Sequence, residues 1–443
     1  MHRHHQVHPL EPKLGRVLAA APAEAARYPL AISADRRRLL DAAGKPFLIQ
    51  GDAAWSLIAN LSFAEAVQYL DDRKAKGFNT LIVSLIEHLY SQDPPRDRAG
   101  REPFTTPGDL TTPNDAYFDA AEQVLEAAAQ RGFCIILAPA YIGYIRDRGP
   151  GISRHLDGWY EEIVATGPEG CRAYGRYLGR RFGRFANIIW CIGGDWHPEK
   201  TRAGLDAVAH GLRDAGVTTL MTGHTHPEYS AADTFPDADW LDLNITYTYG
   251  IVHRMLHDDW QRRPVMPFFL IESTYESEHN ASAQQIRRQA YWSVMCGGNG
   301  HCMGNHPIWL FGEGWQAALD LPGSEAMARW GDYFRALPWS DFLPDLDREL
   351  VSAGLGEARG LDRVTAARTA DGRMGAAYLP VHRPVEVQLD RLHGPWLDVE
   401  WFDPASGRRV SGGTLRAKGP AILTPPFDED AMLVLTSTGI SDG

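Results

Sequence analysis

A (β/α)8 barrel followed by a small antiparallel β-sandwich is the fold class this sequence predicts, on three observations. From about Arg38 onward, short apolar runs alternate with amphipathic stretches, the rhythm of a parallel sheet wrapped by helices. After Pro344 the grammar changes to short alternating runs separated by Gly, Pro and Asp turns, with no helical pattern. Two apolar runs also end abruptly in one carboxylate each: Asn187–Gly194 runs into Asp195, and Val265–Ile271 runs into Glu272. In a parallel barrel the C-terminal strand ends carry the chemistry, so these acids are the leading candidates for it.

The elements follow in order. Phe47–Gly51 reads as the first strand, ending at Asp52. The helix Ser62–Lys76 opens with a capping box, Ser62-Phe63-Ala64-Glu65, and stops at Gly77. Asn79–Ile86 is a strand ending in Glu87-His88; Asp115–Arg131 is a helix closed by Gly132; Phe133–Pro139 is a strand followed by Tyr141. A helix over Glu169–Phe185 leads to strand Asn187–Ile192, and a helix over Thr201–Ala215 stops at Gly216. Val217–Met221, Trp240–Ile245 and Val265–Ile271 supply strands five to seven. The helix Ser282–Met295 precedes an eighth, Gly-rich strand, Gly297–Cys302, and Asp320–Leu337 is the last helix. Four strands are expected in the tail: Met374–Leu379, Val385–Leu389, Leu397–Phe402 and Met432–Leu435. The expected division is a disordered stretch over 1–29, a catalytic barrel over 30–344 and an accessory β-sandwich over 345–443 packed rigidly against it.

Composition bounds the partners. At 443 residues the chain exceeds one ordinary domain. Its 44 basic and 56 acidic residues give a net charge of −12, which disfavours nucleic acid and anionic membrane as partners. Thirteen Trp and sixteen Tyr suit stacking on sugar faces, although most such residues fill cores. Cys134, Cys171, Cys191, Cys296 and Cys302 are scattered without a CxxC, so neither a disulfide framework nor a zinc cluster is expected. No apolar stretch in Met1–Arg27 suits a signal-peptide core and no run approaches a membrane span, which sets a cytoplasmic protein as the expectation. His2, His4, His5 and His8 belong to the expected disordered stretch.

The chemistry-bearing residues cluster at strand ends. Asp195 lies in Gly193-Gly194-Asp195-Trp196-His197-Pro198, where the glycines admit a close backbone approach and the indole can raise a neighbouring carboxyl's pKa. The bland alternative is that Asp195 caps a helix opening near Pro198. Glu272 precedes Ser273-Thr274-Tyr275-Glu276, and Tyr275 is expected to donate a hydrogen bond to it. Glu276 and Glu278 compete for its role but lie further from the strand end. Asp52, Trp55, Glu87, His88, Tyr141, Trp196 and His197 come from the earlier strand ends; for Asp52 the alternative reading is an orienting residue rather than a direct contact. His224, Tyr247, Tyr275, Asn299, His301 and Asn305, with His306, come from the later ones. Converging polar and aromatic groups of this kind bind sugar hydroxyls and ring faces. Two carboxylates on different strands are the minimum equipment for cleaving a glycosidic bond. His224-Thr225-His226 keeps a metal-dependent hydrolase open as an alternative, and a non-catalytic carbohydrate-binding barrel is a third reading. No P-loop, dinucleotide fingerprint or Gly-x-Ser-x-Gly elbow occurs, and no cofactor or metal is expected.

Several motifs together resemble the apiosidase-like glycoside hydrolases, family 140 and its relatives. They are Leu39–Leu48 with Gly51-Asp52-Ala53-Ala54-Trp55, Tyr69–Asn79, Asn187–Trp190 with Gly193-Gly194-Asp195, and Gly300–Trp309. Trp401-Phe402-Asp403-Pro404, Gly407 and Thr424-Pro425-Pro426 resemble the small β-sandwich that follows the barrel in these proteins, a module labelled collagen-binding. The resemblance implies a retaining exo-acting hydrolase of a furanosyl-type sugar, with Asp195 as acid/base and Glu272 as nucleophile. The family's better-known substrate is an apiofuranosyl unit in pectic side chains. Here Ile271-Glu272-Ser273 stands where Gly-Glu-Pro is usual, while Tyr275-Glu276 is kept. A small glycoside or oligosaccharide is the expected substrate.

Overall fold

The computed structural model describes residues 26–88, 90–144 and 158–439. Residues 1–25 of the expected disordered stretch, with its four histidines, lie outside them. Eight parallel strands form the first sheet: β1 Ile49–Ala53, β2 Thr80–Ser84, β3 Cys134–Ala138, β4 Ile188–Gly193, β5 Met221–His224, β6 Asn244–Tyr247, β7 Phe268–Glu272 and β8 Gly300–Met303. Their hydrogen-bonded order is β5-β4-β3-β2-β1-β8-β7-β6, and a two-residue strand, Tyr229–Ser230, pairs antiparallel with β6. The sheet is strongly curled. Its outer strands β5 and β6 meet through one parallel bridge, Thr222 to Leu243, where the Thr222 hydroxyl also donates to the Leu243 carbonyl at 2.6 Å. Tyr229–Ser230 occupies the edge of β6 nearer the strand ends. Every residue of these eight strands is buried, which explains their continuous apolar reading in the sequence.

Among the described residues, seven helices of ten residues or more accompany the strands, α1 Phe63–Ala75, α2 Asp115–Gln130, α3 Tyr160–Phe182, α4 Arg202–Asp214, α5 Val252–Gln261, α6 Ala283–Met295 and α7 Pro322–Arg335, with two four-residue helices, Leu57–Asn60 and Ala231–Thr234. The capping box at Ser62 forms as expected, the serine accepting from the Glu65 amide and the glutamate from the Ser62 amide. Such a cap contributes about 1 kcal/mol. Several elements differ from the sequence reading: the strands read from Trp240, Val265 and Gly297 begin at Asn244, Phe268 and Gly300. Strand β5 begins four residues later than Val217, because Val217 and Thr219 give their carbonyls to Arg213 and pairing begins at Met221. Helix α3 begins nine residues before Glu169, continuing through a non-helical Gly167 that precedes Pro168. Helix α5 has polar and charged residues between its buried Val252, His253 and Leu256, and its pattern is too short to stand out in the sequence.

Gly300 is needed where β8 starts: its φ is +124°, and a Cβ there would lie 2.0 Å from the Ile49 carbonyl oxygen. A similar constraint acts at Gly193, where φ is +114° and a Cβ would lie 2.4 Å from the His224 carbonyl oxygen. That contact brings the ends of β4 and β5 together immediately before Asp195.

The C-terminal domain holds β9 Phe342–Pro344, β10 Val351–Ala353, β11 Thr365–Thr369, β12 Met374–Leu379, β13 Val385–Gln388, β14 Trp396–Phe402, β15 Arg409–Arg416, β16 Pro420–Leu423 and β17 Ala431–Thr438. They form a six-stranded antiparallel sheet, β9-β11-β12-β17-β14-β15, and a three-stranded one, β10-β13-β16. A separate core that includes Val351, Val387, Leu397 and Leu433 lies in this domain. Its junction with the helices is aromatic and ionic. Tyr291 of α6 stacks on Tyr378 at 4.6 Å, Tyr333 of α7 stacks on Phe402 at 3.9 Å, and Arg287 of α6 pairs with buried Asp430. No described helix is long and apolar enough to cross a membrane.

Candidate active site

The ends of β4, β5, β6 and β7 converge on one polar ring. Asp195 stands two residues beyond β4, His224 ends β5, Tyr247 ends β6 and Glu272 ends β7. A register shift between Leu270 and Glu272 in the pairing of β7 with β6 sets Glu272 level with Tyr247. Bulges of this kind re-aim a side chain at the rim of a barrel. His224 Nδ1 lies 3.0 Å from Asp195 Oδ1, and Nε2 lies 3.5 Å from Glu272 Oε2. On the other side, the Tyr247 hydroxyl lies 2.8 Å from Asp195 Oδ2 and 3.1 Å from the Tyr249 hydroxyl, which donates to Glu272 Oε1 at 2.8 Å. The two carboxyl groups are thus linked twice, by an imidazole and by a pair of phenols.

Burial sets the electrostatics. His224 is nearly inaccessible, and desolvation opposes its charge, but Asp195 and Glu272 outweigh that penalty and push it up to about 10. Its ring is therefore an imidazolium near neutral pH. Burial and the repulsion of Asp195 push the Glu272 carboxyl up, against the lowering contacts of His224 and Tyr249. Two carboxylates this close cannot both ionise cheaply, and the proton belongs to the cluster. Both ring nitrogens of His224 and Asp195 Oδ1 lack an aligned hydrogen-bond partner despite the short charge contacts. A buried group in that condition is one that a ligand can satisfy.

Above the ring lies a cavity of about 730 Å3. Of the sequence candidates, Asp195, Glu272, Trp55, Tyr141, Trp196, Tyr247, Tyr275 and His306 line it. Tyr275 does not donate to Glu272 as expected: its hydroxyl is held by the Trp55 indole N–H at 3.2 Å, and Tyr249 takes the place beside the glutamate. Asp195 caps no helix, since α4 opens at Arg202 after Thr201.

The other candidates lie away from the cavity wall, each for a visible reason. Asp52 is wholly buried in an ion pair with Arg73, where Tyr69 also donates to it at 2.7 Å. Glu87 accepts from the Ser56 hydroxyl at 2.9 Å, and burial pushes its carboxyl up to about 7. His88 contacts Glu162 at 3.3 Å and packs edge-on against Trp159. His197 stacks parallel on His226 at 5.0 Å, and it is His226 that reaches the cavity. Asn299 sits at the opposite end of β8, where it joins Leu39, Arg37 and Phe268. His301 faces the Leu270 carbonyl inside the sheet, and burial pulls its pKa down to about 4. Asn305 donates to the Ala318 carbonyl beneath the loop after β8, and Glu276 accepts from the Gly323 amide nearby. Glu278 does line the cavity and holds the Trp309 indole N–H at 2.7 Å.

A metal pair of His224 with His226 does not form, because the His226 ring faces His197 and Trp196 and its Nδ1 meets the Pro227 carbonyl. Among the described residues, Asp195, His224 and Glu272 are the group whose ligand atoms all lie within 4.8 Å of one another. A cation there would compete with the proton that the two carboxylates favour on His224.

Sequence reasoning missed Tyr249, Tyr90, Tyr144, Trp309 and Ser84 as cavity residues. Tyr249 carried a signal, since it lies two positions beyond Tyr247 and alternation places such residues on one face. It is held by Glu228, whose carboxylate accepts from the Thr248 hydroxyl and from the amides of Tyr249 and Gly250 at 2.6–3.0 Å. The remaining four had none beyond being aromatic or polar near strand ends.

Residues 33–341 match the family model described as "Apiosidase-like, catalytic domain", and residues 347–436 match "Putative collagen-binding domain of a collagenase". No curated protein matches the chain. Among solved structures the chain is similar to a "Glycoside hydrolase" at 23% identity and TM-score 0.81, covering 93% of this chain and 97% of that one. It is also similar to a glycoside hydrolase family 5 protein from Bacteroides vulgatus ATCC 8482, at 23% identity and TM-score 0.80, covering 92% and 93%. A glycoside hydrolase family 5 mannosidase from Rhizomucor miehei aligns at 11% identity and TM-score 0.52, covering 71% and 99%. At these identities the structures establish a shared fold.

Proposed function

The chain belongs to the apiosidase-like glycoside hydrolases, and from that premise we propose a retaining exo-hydrolase that releases a terminal furanosyl-type sugar from a glycoside or oligosaccharide. As a glycoside hydrolase it acts on carbohydrate. The observation that carries the retaining reading is the spacing of Asp195 and Glu272, whose nearest ligand oxygens lie within 4.8 Å. Retaining sites hold their carboxyl groups at about 5–5.5 Å, whereas inverting sites need about 6.5–9.5 Å for a water molecule. The finer fold reading, a complete (β/α)8 barrel over 30–344, draws support from the eight parallel strands and the Thr222–Leu243 bridge.

Asp195 protonates the leaving oxygen while Glu272 attacks the anomeric carbon. Asp195 then takes a proton from the water that releases the sugar. Hydrogen-bond polarity explains how this chain holds the proton. Tyr247 has one proton and two acceptors within reach, Asp195 and Tyr249. When Asp195 is protonated it donates to Tyr247, Tyr247 donates to Tyr249, and Tyr249 donates to an ionised Glu272. Both phenols then donate and accept one hydrogen bond each, in the protonation state the first step requires. The reverse polarity puts the proton on Glu272, which is the direction burial favours for that carboxyl. The imidazolium of His224 offsets one carboxylate charge in either state.

The furanosyl part of the reading rests on the family, and aryl furanosides of apiose and of both arabinose enantiomers test it. Proton NMR of the first-formed product tests the stereochemistry: the retained anomer is expected, and the inverted anomer overturns the role given to Glu272.

A further inference from the structure

We propose that Glu87 is a positioning residue which, through Ser84, makes one point of the cavity floor a hydrogen-bond acceptor for a hydroxyl group of the bound sugar. This rests on the cavity being the sugar site. Glu87 is a buried carboxyl that the hydrolytic cycle leaves without a task, three residues beyond Ser84 at the end of β2. Three donors surround it. The Ser56 hydroxyl donates to Oε2 at 2.9 Å, and the Ser84 hydroxyl and the Tyr90 amide also contact the carboxyl. Ser84 and Tyr90 line the cavity, as does Trp55, the neighbour of Ser56. Ser84 shares a floor with the polar ring: its amide donates to the Trp55 carbonyl at 2.9 Å, and the Trp55 ring meets His224 edge-on at 5.3 Å.

The turn from Ser84 to Glu87 is pinned on every side. The Leu85 amide donates to the Ala138 carbonyl of β3 at 2.9 Å. The Tyr117 hydroxyl of α2 donates to the Leu85 carbonyl at 3.1 Å, and the Trp159 indole N–H to the Ile86 carbonyl at 3.4 Å. Glu87 is thereby held behind the floor, with Ser84 between it and the cavity. An arrangement fixed in this way is oriented before a ligand arrives.

Polarity follows from the donor inventory. A carboxylate only accepts, so an ionised Glu87 takes the single proton of the Ser84 hydroxyl and leaves its lone pairs for a guest. A sugar hydroxyl donating to Ser84 completes a chain that ends on a charge, and each link of such a chain strengthens the next. A protonated Glu87 has a proton of its own to give, and Ser84 is released from donating to it. What the floor offers therefore changes with the protonation of Glu87, which burial has pushed up to about 7. The groups that face the carboxyl are Ser56 after β1, Tyr117 of α2, and Tyr90 and His88 of its own loop. His88 pairs with Glu162 of α3, and Tyr117 also faces Asp97 and Arg101. A guest that prefers the ionised form must, by linkage, bind more tightly as the pH rises through that value.

The test measures binding to Glu272→Gln by calorimetry, using the tightest-bound of the aryl furanosides of apiose and the two arabinose enantiomers. Affinity is expected to rise about tenfold from about pH 6 to about pH 8, as the ionised fraction of Glu87 grows from about one tenth to about nine tenths. Adding Glu87→Gln, whose amide does not titrate, should flatten that rise. Adding Ser84→Ala should flatten it too, and Glu87→Gln should then cost nothing further. A purely structural Glu87 gives additive losses and an unchanged pH profile, and either result overturns the proposal. Analogues with one hydroxyl at a time replaced by fluorine, which cannot donate, should show one position where Ser84→Ala no longer weakens binding. Equal sensitivity at every position overturns the proposal as well. Infrared titration of the ligand-free protein supplies a readout free of any sugar. A protonated-carboxyl band should fade as the pH rises through about 7 and be missing when Glu87→Gln is added. A spectrum indifferent to that substitution overturns the role of Glu87. Absence of binding by every furanoside sinks the sugar site and this proposal with it. Failure at Glu87 alone is told apart, because the ligand then binds with an affinity indifferent to Glu87→Gln.

Discussion

Two buried ionic groups in this protein are built in opposite ways. At the junction with the C-terminal domain, the Arg287 guanidinium donates to both oxygens of Asp430 at 2.6–3.1 Å and to Glu429 at 2.7 Å, while Tyr378 donates to Asp430 at 3.0 Å. Neither Arg287 nor Asp430 has a buried atom without a partner. At the strand ends, His224 has two carboxylates within 3.0–3.5 Å, yet neither ring nitrogen has an aligned hydrogen bond. The first group joins the two domains and leaves no buried polar atom of Arg287 or Asp430 without a partner. The second keeps capacity in reserve, as a site that must accept a reacting molecule does.

The sharpest way to break that contrast is at the carboxylates. Asp195→Asn and Glu272→Gln are each expected to lower kcat by about a thousandfold or more, with the thermal midpoint unchanged or raised. If either variant keeps full activity while folded, the open ring is not the catalytic one. Arg287→Ala should do the reverse, costing about 3–5 kcal/mol in a denaturant melt because Asp430 is left buried and unpaired. The fraction that remains folded should keep its kcat; a specific loss of kcat would mean that the junction reaches into the site.

Two smaller effects sharpen the contrast. His224 is raised from 6.5 to about 10 in the folded protein, so the folded state binds more protons than the unfolded one between those values. Its contribution to stability is fully present below pH 6.5 and lost as the pH rises through 10. Unfolding midpoints across that window should decline, and the decline should flatten in His224→Gln. Tyr249→Phe removes the donor that lowers the Glu272 pKa. The acidic limb of the kcat profile should move to higher pH, with kcat down by roughly tenfold. Glu228→Ala, which frees the Tyr249 turn, should shift the limb in the same direction by less.

Much of the framework was legible in the sequence because burial leaves a simple mark. Strands such as Ile188–Gly193 are buried on both faces, and their apolar runs cannot be mistaken for surface. The two carboxylates were legible for the same reason, as charges at the end of such runs. Residues that depend on lateral approach were not. Asn299 and His301 sit on the eighth strand, yet one closes its far end and the other faces a carbonyl inside the sheet. Asp52 looked like a strand-end acid, but its partner Arg73 comes from α1, twenty-one positions away. Trp309 and Tyr90 meet only through loop geometry, which leaves no periodic trace.

The single bridge between β5 and β6 has a dynamic consequence. A sheet opens most easily where its ladder is thinnest, and amide exchange reads that opening directly. The polar ring of Asp195, His224, Tyr247 and Glu272 spans this gap, with His224 on one bank and Tyr247 on the other, and Tyr229–Ser230 paired with β6 towards the mouth. A sugar bound to both banks acts as a clasp. Protection of the β5 and β6 amides should rise on ligand binding far more than that of β2 and β3, making the substrate a stitch in the wall that holds it.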